Sequence, residues 1–116
     1  MKRREFYIKL FFRLFDELPY GIMDTVAELT QEAQKELFET WLFVACDIQK
    51  SKASSEIINS DFREQIDIYK PISSDALIAL IRLLRDAIYS LSKNANVKIL
   101  IEYLAAYCKA LKVSFI

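Results

Sequence analysis

The sequence predicts an all-α fold, and three observations carry the prediction. Apolar residues recur every three or four positions along most of the chain, which is the spacing of a helix stripe and not the alternation of a strand. One Gly and two Pro in 116 residues leave too few turn-formers for a β-sandwich or barrel. A hydrophobic content of 53% is enough to fill the core of a single domain, residues 1–116, without disulfide or metal staples. The expected architecture is a compact bundle of about five helices, with a central, mostly buried helix near residues 75–91.

That central helix reads DALIALIRLLRDAIYSL. Ser73, Ser74 and Asp75 offer side-chain oxygens to the free N–H groups of its first turn. Apolar residues then occupy most of its circumference, more densely than a helix with one wet face requires. At 100° per residue Asp75, Arg82, Asp86 and Ser90 fall on one strip, with Arg85 at its edge. Two readings of that strip stand side by side. Arg82 and Asp86 can form an i,i+4 pair facing water. Alternatively Arg82 or Arg85 fixes the acidic head of a small molecule or lipid held in an apolar pocket between helices.

The first helix is expected from about Arg3 to Leu18, ended by Pro19, with Gly21 completing the turn. It holds the densest aromatic content of the chain and its densest positive charge, in Lys2, Arg3, Arg4, Lys9 and Arg13. Such a helix can lie on a membrane surface by peripheral contact or fit a partner's groove. It can equally supply its rings to the core and cover the edges with Lys and Arg. A secretory signal is not expected, because Lys9 and Arg13 break the apolar run and no small-residue cleavage site follows.

From Ile22 through Val26, Leu29, Ala33, Leu37 and Trp41 to Ile48 the helical phase never slips, which predicts one helix of about 40 Å over residues 22–50. The competing reading is a break at Thr30, which can cap a new helix at Gln31. Asp24, Glu28, Glu32, Glu36 and Glu39 make an acidic flank, read as a solvated face or as a dock for the basic first helix. Residues 51–55 form a turn. Residues 56–69 have a weak pattern, interrupted by Asn59, Ser60 and Asp61, and are the best place for a lid or a variable surface. The last helix starts after an Asn96 cap and runs from Val97 to about Val113, antiparallel to the central one across a short loop. Its inward stripe is Leu100, Leu104, Tyr107 or Cys108, and Leu111. The apolar end, Ser114-Phe115-Ile116, is expected to tuck against the body or a partner.

The chain has no histidine, so the commonest general base, metal ligand and triad member are all missing. Cys46 and Cys108 sit in apolar helical patterns and read as reduced thiols, pointing to the cytoplasm. A single glycine rules out a glycine-rich phosphate loop. No cofactor, metal site or catalytic residue is assigned, and no enzyme is expected. Sixteen basic and sixteen acidic residues cancel, which disfavours nucleic acid as the main ligand, and no stretch reaches the length of a membrane span. What remains is a non-catalytic interaction or regulatory module that binds a protein partner or itself, with Phe6, Phe12, Trp41 and Tyr103 as interface candidates.

Overall fold

In the computed structural model residues 2–53 and 55–113 are described, and among them there are six α-helices and no strand. They are α1 (Lys2–Asp16), α2 (Tyr20–Ala27), α3 (Gln31–Lys52), α4 (Arg63–Ile68), α5 (Ser74–Ser92) and α6 (Val97–Val113), with one 3₁₀ turn at Ser60–Phe62. The all-α bundle is therefore present. Its Cα radius of gyration is 13.3 Å, close to the roughly 13 Å of a compact domain of about this length. The terminal segment 114–116 and Ser54 lie outside the described residues, and with them the expected tucking of Phe115 and Ile116.

Four helices form a ring. α1 packs on α3, α3 on α5, α5 on α6, and α6 back on α1; α2 lies against α6 and α4 against α3. α5 runs antiparallel to both of its neighbours. Gln31 at the start of α3 donates to the Leu91 carbonyl at the end of α5, while Gln49 near the end of α3 donates to Ser74. Tyr107 late in α6 donates to the Ala76 carbonyl early in α5.

The caps follow from residue type. Thr30 accepts the Ala33 N–H and Ser73 accepts the Ala76 N–H, both at 3.1 Å. Asn96 accepts the Lys98 N–H at the head of α6. α5 ends where Asn94 takes a positive φ of 64°, the left-handed conformation Asn tolerates. There the Asn94 N–H reaches the Leu91 carbonyl and the Ala95 N–H the Ser90 carbonyl, the paired bonds of a Schellman stop.

Four expectations change. Residues 22–50 are two helices and not one, because Thr30 caps α3 and the Gln34 amide donates to the Val26 and Leu29 carbonyls at the end of α2 and in the turn after it. The stripe keeps its phase across the break because Ile22 and Val26 are buried as well, within the helix that packs on α6. Gly21 does not make a turn: it lies inside α2, and its carbonyl accepts the Thr25 hydroxyl. α1 stops at Asp16, and Pro19 begins α2, accepting the Met23 N–H. α5 is also less covered than its composition suggests. It buries one stripe, Leu77, Leu80, Leu84, Ala87 and Leu91, and leaves Ile78 41% exposed with Arg82, Arg85 and Tyr89 along the same outer line.

Candidate interaction surface

The four interface candidates separate. Trp41 has 0% exposure and belongs to the core, a correction to its reading as an anchor. Its ring packs on Phe11 and Phe38, and its indole N–H donates to the Tyr7 carbonyl at 2.7 Å. A buried indole needs such a partner, and here the backbone of α1 supplies it. Phe12 is half-buried and stacks on Tyr69 with ring centroids 5.3 Å apart. Phe6 is 43% exposed and Tyr103 65% exposed, on different helices, so the four residues do not form one patch.

The positive charge of α1 is largely matched within the chain. Arg3 pairs with Glu36 of α3, Arg4 with Asp61, and Arg13 with Glu17. The Arg4 guanidinium also holds the Asp61 carboxyl below the usual carboxylate range, by hydrogen bonding foremost. Arg4 further donates to the Asn59 side chain at 2.7 Å. Asn59 leads to a buried polar cluster that the sequence reading missed. The Asp47 carboxylate, on the inner side of α3, accepts the Ile58 N–H, the Asn59 N–H and the Asn59 side-chain amide, all at 2.8 Å. This cluster ties residues 58–62 to α3 and α1, so any lid there must first break three hydrogen bonds to a buried carboxylate. A signal existed in the sequence: Asp47 stands on the apolar stripe beside Val44, Ala45 and Ile48, where a charge needs buried donors.

The ligand candidates lie apart from any enclosed space. Arg82 and Arg85 are exposed on the outer line of α5, and the i,i+4 pair expected of Arg82 with Asp86 is not made. Two apolar depressions flank α5. One, of about 320 Å³, lies against α3 between Gln31, Lys35, Ile88 and Leu91. The other, of about 260 Å³, lies against α6. Neither is lined by Arg82 or Arg85. Both sit at or below the low end of the range for small-molecule sites.

The second depression adjoins an open apolar surface of the bundle. Leu83, Ala87, Leu100 and Leu104 line it, with Asp86, Ser90 and Tyr103 at its edge. Beyond Tyr103 the outer face of α6 continues through Ile99, which is 62% exposed, and the exposed Ala106 and Ala110. The inward stripe of α6 is Ile101, Leu104, Ala105, Cys108 and Leu111, so Cys108 is the inner residue of the Tyr107/Cys108 pair, and Leu100 sits at the edge. α6 thus carries two apolar stripes and uses one to close its own bundle. Sequence reasoning reached Tyr103 but not its neighbours, although the 4-3-4 spacing of Ile99, Tyr103, Ala106 and Ala110 was there to read.

No family model, no curated protein and no solved structure matches the chain. What its surface can bind follows from the chemistry of its residues. Among the described residues no group of three or more Cys, Asp or Glu is placed to hold a metal ion, and no helix is long and apolar enough to cross a membrane. Both cysteines are free thiols. Burial pushes the Cys108 thiol up to about 12. Burial also raises Cys46, with Lys50 and Arg85 nearby pulling the other way.

Proposed function

We propose that this chain is a non-catalytic helical interaction module, and that the outer face of α6 with the adjoining α5 groove docks a protein. One observation carries the reading. Ile99 and Tyr103 stand more than 60% exposed on a face continued by Ala106 and Ala110, beside a groove floored by leucines. An apolar, aromatic centre edged by Asp86, Glu102 and Lys98 has the composition of a protein interface core with a polar rim. The absence of a basic field around it favours protein over nucleic acid. Free thiols fit a reducing compartment, and the cytoplasm is the setting we assign.

A photo-crosslinking residue placed at position 103, and as a control at position 89, tests this in the cells that make the protein. Tyr89 is as exposed as Tyr103 but lies on the outer line of α5 beside the exposed Arg82 and Arg85. A discrete protein adduct from position 103 and little from position 89 is the expected result. Equal yields at the two positions, or none at 103, would overturn the reading.

A further inference from the structure

We infer that the outer face of α6 pairs with the same face of a second copy of this chain, antiparallel about a two-fold axis. This rests on the reading of that face as a docking surface and names its occupant. Ile99, Tyr103, Ala106 and Ala110 recur at steps of four, three and four, the spacing of a coiled-coil seam. Their side chains point away from the bundle, which α6 already closes with its other stripe.

The seam is graded in size. Its large residues, Ile99 and Tyr103, lie in the first half of α6 and its small ones, Ala106 and Ala110, in the second. A parallel pair would set Tyr103 on Tyr103 and leave a gap between facing alanines. An antiparallel pair sets Tyr103 opposite the partner's Ala106 and Ile99 opposite the partner's Ala110, and symmetry repeats both contacts. Each large side chain then fills the space left by a small one, as close packing requires.

Charge selects the same register. Glu102 and Lys109 flank the seam on one side, seven residues apart. In the antiparallel pair Glu102 meets the partner's Lys109 twice, whereas a parallel pair sets Glu102 beside Tyr107 and brings no such charges together. Among the described residues Glu102 makes no ion pair, and Lys109 donates to the Leu14 carbonyl at 3.4 Å. On the other flank the half-buried Leu100 meets the partner's half-buried Tyr107. A seam of four residues is short against the roughly 1,200 Å² of the smallest stable interfaces, so the dimer forms in a concentration-dependent way, with a dissociation constant on the order of micromolar.

Sedimentation velocity across a micromolar concentration series tests the inference. The mass is expected to climb from 13.6 kDa toward twice that value. Ala106→Arg, at an exposed position, should leave the melting of dilute protein unchanged and hold it monomeric throughout. Glu102→Lys should weaken association about tenfold, and adding Lys109→Glu should restore it. A monomer at every concentration, a dimer indifferent to Ala106→Arg, or a charge swap that fails to recover association would each overturn the antiparallel pair. A monomer whose position 103 still crosslinks a different protein sinks the pairing and keeps the docking surface; a monomer with no adduct there sinks both.

Discussion

α1 and α6 are amphipathic helices of 15 and 17 residues, the first with five aromatic rings and the second with two, and they are finished in different ways. α1 sends Tyr7, Phe11 and Phe15 into the core, stacks Phe12 on Tyr69, and binds three of its arginines to acidic groups of the same chain. α6 buries one stripe, ties Lys98 to Asp24 and Lys112 to Asp16, and leaves a second apolar stripe exposed and, among the described residues, Glu102 without an ion pair. Aromatic content does not mark an interface. The face we propose as one is marked instead by the apolar area and charge left over once the helix has satisfied its own fold.

The largest expected effect that can break this comparison comes from two ring deletions. Trp41→Ala removes the residue that joins α3 to α1 and should cost about 3–5 kcal/mol in denaturant unfolding. Tyr103→Ala should change the stability of dilute, monomeric protein by no more than about 0.5 kcal/mol. If the two losses are alike, the α6 face is not open and the contrast fails.

A smaller effect probes the sealed side. Asp47→Ala strands two backbone N–H groups and the Asn59 amide, so about 3 kcal/mol should be lost. Asp47→Asn keeps one acceptor oxygen and should lose less. Equal losses for the two variants would mean that the carboxylate's paired acceptors do not hold residues 58–62 in place.

The smallest effect sits on the inner side of α6. In the folded state Cys108 keeps its proton up to about 12, while an unfolded thiol loses it near 8.5. Above that lower value the unfolded chain sheds the proton first, so stability is whole below about pH 8.5 and falls as pH rises toward 12. Between pH 9 and 10 the thiol's share of the fall should be about 1 kcal/mol, read in a Cys46→Ser background as the part of the slope that Cys108→Ala removes, since Tyr7, Tyr69 and Tyr107, also raised by burial, add a fall of their own as their unfolded forms ionise. Cys108→Ala should flatten that slope, and an unchanged slope would show that the thiol is not sealed by the bundle.

Much of the fold was legible because local chemistry and global packing agree. Ser73 and Asn96 cap α5 and α6 where their side chains suggest, and the boundaries of both helices fall within a residue of the expected ones. The failures share a cause: a helical stripe reports burial but not what does the burying. Ile22 through Ile48 keep one phase, yet the chain bends at Thr30 and shares that stripe between α6, which α2 meets, and α1 and α5, which α3 meets. Trp41 and Tyr103 both read as rings in a stripe, and only the placement of α1 over Trp41 tells them apart. The apolar stripe around Asp47 says that it needs buried donors but not where they are: they lie at residues 58 and 59, in a segment with no periodicity of its own.

The ties between α1 and the rest of the bundle span great lengths of chain. Arg4 reaches Asp61, 57 residues on, and Asp16 pairs with Lys112, 96 residues on. During synthesis α1 is therefore the first of the six helices to leave the ribosome and the last to find all its neighbours. Until α3 and α6 have emerged, Tyr7, Ile8, Phe11 and Phe15 have nothing to cover them. Contacts so distant in sequence form late and slowly, and exposed rings in a nascent chain invite aggregation. The arginines of α1, spaced among those rings, favour water for the waiting helix until α6 arrives to enclose it.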